Sequence, residues 1–198
     1  MDNIQAEESI RTIREIMERS AKYTNFSGLS GIVSGLLAIA GCIVSLRVAG
    51  SDRWGNEPLT YVLIWSFVFL AALSQDAFLA NRKAKRNGDK LLNPASIMVI
   101  KAVTPGILLA LTLCVRGVLL KDWNHIPVYW TLCYGVAASA AGLFSVPEVR
   151  IFGWVQLITG AIALFLVSTW ASAMLLIALS FGLYQILFGL WLSHRYGW

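Results

Sequence analysis

The sequence predicts an all-α, polytopic transmembrane bundle of six helices preceded by an amphipathic helix, and three observations carry that expectation. Of 198 residues, 57% are hydrophobic and only 14% are charged, and the mean hydropathy of +0.66 exceeds what a single soluble core requires. Apolar stretches long enough to cross about 30 Å of hydrocarbon, at about 1.5 Å per residue, recur along nearly the whole chain after residue 28. Basic residues divide very unevenly between the two sides that such a topology creates.

Taken in order, residues 1–27 form the first unit, and within them residues 5–23 read as a cytoplasmic or interfacial helix. Ile10, Ile13, Met17 and Ala21 make a narrow apolar stripe, while Glu7 with Arg11, Glu15 with Arg19, and Glu18 with Lys22 stand at the favourable i, i+4 spacing. The stripe is too short for a coiled coil. Its partner is either the bilayer surface with the chain's own loops, or another subunit. No cleavable signal peptide is expected, because the first apolar run follows a long charged segment and is itself of spanning length.

Residues 28–198 are the transmembrane unit, with spans at about 29–49, 60–80, 97–117, 127–146, 151–169 and 172–193. The first carries Gly31, Gly35, Ala38, Cys42 and Ser45 at alternating four- and three-residue steps, a flat face that lets another helix approach closely. Packing within the bundle is the default use of that face, and homo-oligomerisation the alternative. The second span carries Asp76, an intramembrane carboxylate with Gln75 beside it. Such groups are expensive and often functional. The third is the weakest span, since its charge-free run from Ala102 to Val115 is short and either Lys101 or Arg116 must sit within the slab edge and extend its head outward. Lys101 enters at a depth similar to Asp76, so an Asp76–Lys101 ion pair is the simplest neutralisation. Thr104 and Pro105 follow, the proline freeing a backbone carbonyl and bending the helix.

The fifth and sixth spans are joined by little more than Trp170 and Ala171, which requires a tight hairpin. Pro147, Glu148 and Arg150 read as an ordinary helix start with an acid near the N-terminus. Both spans carry the pattern F-G-x-x-Q-x-x-x-G, once from Phe152 through Gly153 and Gln156 to Gly160, and again from Phe181 through Gly182 and Gln185 to Gly189. Glutamine is scarce, with four in the chain, so the repetition records either a duplicated helix or a selected packing seam. In each copy a polar amide lies between two close-approach points, suited to interhelical hydrogen bonding.

Charge fixes the expected orientation. Arg11, Arg14, Arg19, Lys22, Arg82, Lys83, Lys85, Arg86, Lys90, Lys101, Arg150 and Arg195 fall on one side, against Arg47, Arg53, Arg116 and Lys121 on the other. Twelve against four places both termini in the cytoplasm. The net charge of +5 is thereby explained by topology. No nucleic-acid partner is expected, since the basic loops lack base-reading or stacking groups in context; anionic lipid head groups are a suitable counterpart.

Cys42, Cys114 and Cys133 all fall inside spans without C-x-x-C spacing and read as buried small hydrophobes. His125 lies in an outer loop and His194 at the inner end of the last span, so one chain cannot join them around one haem or metal. No metal or cofactor is expected. Gly28-Leu29-Ser30-Gly31 resembles the G-x-S-G of rhomboid intramembrane proteases, which implies a serine nucleophile, but that family's further histidine and asparagine have no counterpart. Ser30 reads as a small residue of the packing face. The pattern I-R-x-x-M-E-R-S from Ile13 to Ser20, followed by Phe26 and Leu29-Ser30-Gly31-Ile32, resembles the opening of a group of uncharacterised small bacterial multi-pass proteins. That resemblance implies a bacterial inner-membrane home and no particular activity.

With no P-loop, no metal-ligand cluster and no paired nucleophile and base, the leading expectation is a non-enzymatic accessory, assembly or sensor subunit in the lipid bilayer. Its protein contacts would run through the first span or the N-terminal helix. The alternative is a small transporter or channel with Asp76, Lys101, Thr104, Gln156 and Gln185 lining an inward polar pocket; a membrane-embedded enzyme is the remote third.

Overall fold

The computed structural model describes residues 10–13, 23, 26–48, 58–86 and 92–196, and every named element among them is helical. Six segments follow in order: α1 Gly28–Val48, α2 Pro58–Arg86, α3 Pro94–Leu119, α4 Ile126–Ala141, α5 Pro147–Leu166 and α6 Trp170–Tyr196. Five are long and apolar enough to cross a membrane, which makes the chain a membrane protein built as a helix bundle. Of the stretch expected as the N-terminal helix, Ile10 to Ile13 are helical, with Ile10 and Ile13 exposed. Met17 and Ala21 lie outside the described residues.

The helix that falls short of its expected length is α4 and not α3. Helix α3 runs for 26 residues, uninterrupted through Pro105. A capping box starts it: Asn93 Oδ1 accepts the Ser96 N–H at 2.7 Å while Ser96 Oγ accepts the Asn93 N–H at 2.9 Å. Helix α4, expected over 127–146, has only 16 residues. Its end is set by a tertiary contact, because the backbone before α1 docks on the connection to α5. The Tyr23 N–H donates to Phe144 O at 2.9 Å, and Tyr23 and Ser145 form an isolated parallel bridge. At the other end, the 3₁₀ turn Trp123–His125 runs directly into α4. The turn and helix together rise about 30 Å.

Trp170 and Ala171, expected as the hairpin connection, are the first residues of α6, capped by Thr169 and Ser172. The connection is the preceding residues 167–169. Midway along α6 the register changes to a π-helix over Ala178–Leu183 before α-geometry returns at Tyr184.

Two glycine seams organise the bundle. A Cβ placed on Gly35 would stand 2.7 Å from Gly182 O, and one on Gly31 would stand 3.1 Å from Gln185 O, so α1 and α6 run antiparallel with their backbones nearly touching. Gly182 and Gly189 return the contact against Ile39 and Ile32 of α1. The second seam joins α4 to α5, where Gly153 faces Ser139, Gly160 faces Leu132, and Gly135 faces Leu157. Both copies of the F-G-x-x-Q-x-x-x-G pattern therefore place their glycines against the backbone of an antiparallel neighbour. Lipid tails are as apolar as Leu, so such close packing supplies the association energy that burial supplies in water.

Helix α2 flanks α1, and α3 flanks α4. Large apolar side chains of α2, including Leu63, Phe67, Leu70 and Phe78, remain exposed. The end of the bundle at the start of α1 is closed by Tyr23, Ala95, Val99, Ala141, Val146, Val149 and Leu192. The opposite end is closed by an aromatic group in which Tyr61 packs edge-on against Trp123 and Trp170 at centroid distances of 6.1 and 6.0 Å.

Candidate functional site

Asp76 stands within the apolar length of α2, and the structure gives it partners other than Lys101. Ser30 Oγ of α1 donates to Asp76 Oδ1 at 2.5 Å, Ser34 Oγ donates to the same oxygen at 3.2 Å, and the Gln75 amide also meets it. Gln75 Nε2 further contacts Ser34 Oγ at 2.6 Å and the Ser30 carbonyl at 3.3 Å. Ser30 and Ser34 are one turn apart, so both hydroxyls face α2 while Gly31 and Gly35 face α6. Ser30, expected as a small residue of the packing face, instead faces α2 beside Asp76.

The expected Asp76–Lys101 pair does not form among the described residues, and Lys101 is exposed on α3. Thr104 is exposed as well, and its hydroxyl donates to Ile100 O at 2.7 Å. Ser74 and Thr112 do the same toward Leu70 O and Leu108 O. A hydroxyl on a lipid-facing surface can satisfy itself on the preceding turn of its own helix, and so needs no pocket.

The two glutamines point inward but have different occupations. Gln185 Nε2 donates to the Tyr134 hydroxyl of α4 at 2.9 Å. Because the Gln185 backbone lies against Gly31, that bond shares a level with Ser30. Gln156, completely buried, donates from Nε2 to Ser180 O at 2.8 Å. The reason for this bond is in α6. The last π-type bond runs from the Tyr184 N–H to Leu179 O, and the return to α-register then passes over the next carbonyl, that of Ser180. Gln156 supplies the donor that the helix no longer provides. Thr131 Oγ1 lies 3.3 Å from Ser180 Oγ at the same place. Of the five expected pocket residues, then, Asp76 and Gln185 share one level, Gln156 caps the π segment, and Lys101 and Thr104 lie outside.

Sequence reasoning missed Ser34, Tyr134 and Glu148. Glu148 opens α5 and is buried, with Oε1 2.9 Å from Arg195 Nη1 and Oε2 accepting from the Tyr196 hydroxyl at 3.0 Å. It ties the start of α5 to the end of α6. The histidines sit at opposite ends: His125 Nδ1 is 2.6 Å from Asp122 Oδ1, and His194 is exposed near the end of α6. Among the described residues no group of three or more His, Cys, Asp and Glu is placed to hold a metal ion.

Comparison with protein-family models, with curated proteins and with solved structures finds no match for this chain.

Proposed function

We propose that this chain is a non-enzymatic, six-span protein of the bacterial inner membrane that acts as an accessory or sensor subunit through helix packing, with both termini in the cytoplasm. The observation that carries this reading is how the candidate polar residues are used. Gln156 and Gln185 are spent on single interhelical bonds, and Lys101 and Thr104 lie on exposed faces. A conduction path or catalytic centre needs convergent polar groups around a space, and these do not converge. Helix α4 with its leading 3₁₀ turn is long enough to serve as the sixth span. The uneven division of Lys and Arg supports the orientation, and the resemblance of the first forty residues supports the bacterial home. The exposed Ile10 and Ile13 are contact residues for a partner on the cytoplasmic side.

One observation favours a small transporter as the second reading: Asp76 keeps a carboxylate in the apolar length of α2 without a cationic partner among the described residues. The purified chain in proteoliposomes separates the two. Under imposed proton or sodium gradients it is expected to give no flux above empty vesicles. A flux that Asp76→Asn abolishes would overturn the subunit reading in favour of transport.

A further inference from the structure

We propose that Asp76 is a proton-operated latch at the seam between α1 and α2: ionised, it holds the hydroxyls of Ser30 and Ser34 across the seam, and protonated, it releases them to their own helix. The inference deepens the sensor reading by naming the signal as a proton, and rests on that reading for its role, not for its chemistry.

The choice of acceptor by the two hydroxyls carries the argument. Ser74, Thr104, Thr112, Thr131 and Ser145 each donate to the carbonyl four residues earlier, at 2.7–2.9 Å. That acceptor is within reach of any hydroxyl on a helix and orders nothing else. For Ser34 it is Ser30 O, and for Ser30 it is Phe26 O. Both serines pass it over and donate to Asp76 Oδ1 on the neighbouring helix, Ser30 Oγ at 2.5 Å and Ser34 Oγ at 3.2 Å, and the Gln75 amide meets the same oxygen. Three donors on one oxygen are the bonding of an ionised carboxylate, whose charge-assisted hydrogen bonds are roughly twice as strong as neutral ones. A protonated carboxyl offers a carbonyl no better than the backbone's and adds a donor of its own. The reason for reaching across the seam is then gone, and each hydroxyl has an acceptor one turn back. The proton needs no cavity, and no backbone has to move to receive it.

No other charge among the described residues takes this role from the proton. Helix α1 carries no charged residue before Arg47, near its other end. On α2, Lys83 lies seven residues along the same face and is engaged with Phe26 O at 2.9 Å, while Arg82 and Lys85 are exposed. Lys101 of α3 is exposed. Helix α4 brings the Tyr134 hydroxyl to the level of Ser30, where it accepts from the neutral Gln185 amide of α6 at 2.9 Å. The sign of the response follows. Attached, Asp76 has three donors that favour its ionised form; with α2 swung out into lipid it has none, and an ion there is far costlier than the neutral acid. Proton uptake is easier detached than attached, so by linkage falling pH weakens the hold of α1 on α2. The contact of Gly31 and Gly35 with α6 is one of backbone and takes up no proton.

Two measurements on the purified full chain in one detergent test the latch. Infrared difference spectra over about pH 4 to 9 are expected to show a protonated-carboxyl band that forms on acidification and is missing from Asp76→Asn. Over the same transition, hydrogen exchange of the α2 backbone amides should rise about tenfold relative to those of α4, a ratio in which the chemical pH dependence of exchange cancels. In Asp76→Asn that ratio should not follow pH. Ser34→Ala takes one donor from the ionised form and should move the pH of half-formation of the band upward by about half a unit, about threefold in proton affinity. A band that does not titrate overturns the latch. So does a band that titrates while the exchange ratio stays fixed, or a ratio that follows pH in Asp76→Asn as well. Should Asp76→Asn fail to fold, Ser34→Ala decides, and a half-formation pH that stays or falls overturns the latch. Flux in proteoliposomes would sink the subunit reading while leaving the latch in place, and a missing band would do the reverse, so the two fail separately.

Discussion

Helix α1 shows two unlike faces to its neighbours. Toward α6 it offers Gly28, Gly31 and Gly35, and the two backbones approach until a single Cβ has no place. Toward α2 it offers Ser30 and Ser34, which reach Asp76 and Gln75 through hydroxyls. The first contact is one of shape and admits one arrangement. The second is one of hydrogen bonds, whose donors and acceptors can exchange partners without moving the backbone. The difference teaches where rigidity and response reside: α1 with α6 is the fixed frame, and the flanking α2 is the part whose attachment can depend on conditions.

Gly35→Val should break that comparison most severely if it is wrong. The new Cβ would stand 2.7 Å from Gly182 O and 2.6 Å from Ile186 Cγ1, and a carbonyl in a helix cannot step aside as a flexible side chain can. A loss of about 3 kcal/mol or more is expected, at the upper end of overpacking costs. Ser34→Ala, one residue away on the other face, should cost less than about 1 kcal/mol. Chemical unfolding of the two variants in one detergent checks this. Equal losses would show that the two faces are not of different kinds.

A smaller effect sharpens the comparison inside the frame. Gln156 and Gln185 occupy equivalent places in the repeated pattern, yet Gln156 answers a backbone carbonyl released by the π segment and Gln185 answers a tyrosine hydroxyl. Gln156→Leu leaves Ser180 O buried without its donor and should cost about 1–2 kcal/mol. Gln185→Leu takes one donor from the Tyr134 hydroxyl oxygen, whose own O–H remains free to donate, and should cost less than about 1 kcal/mol. The same unfolding measurement ranks them; the reverse order would remove the π segment as the reason for Gln156.

Much of the frame was legible because the bilayer leaves the backbone little choice. Apolar runs of spanning length must be helical, and glycines repeated along one helix face, four or seven residues apart, mark close approach. Hence the helices near the expected places, and Gly31, Gly35, Gly153, Gly160, Gly182 and Gly189 each against a neighbouring helix. The site was less legible, for three physical reasons. Ser30 adjoins Gly31, but one residue turns the helix by about 100°, so adjacency in sequence put the serine on a different face. Glu148 looked like a helix start, since nothing local reveals that the end of α6 brings Arg195 and Tyr196 to it. The π segment Ala178–Leu183 carries no sequence mark at all; its consequence, Gln156, was visible without its cause.

Thr104 explains why the polar pocket was expected and is absent, and it sets the smallest effect. Thr104 was expected to line an inward polar pocket with Asp76, Lys101, Gln156 and Gln185, as a hydroxyl in need of a partner elsewhere in the bundle would. That inference omits the donor's nearest acceptor. On a helix, the carbonyl four residues earlier is within reach of a Thr hydroxyl on any face, and Ile100 O accepts the Thr104 hydroxyl at 2.7 Å. Ser74 and Thr112, also exposed, repeat the arrangement, so the chain shows three cases of one rule. Thr104→Val therefore removes a donor and its local bond together, on an exposed surface, with a change in stability within about 0.5 kcal/mol. Were Thr104→Val to cost more than about 1 kcal/mol on chemical unfolding, Thr104 would have to face the bundle after all, and the separation of a fixed frame from a responsive seam would be lost.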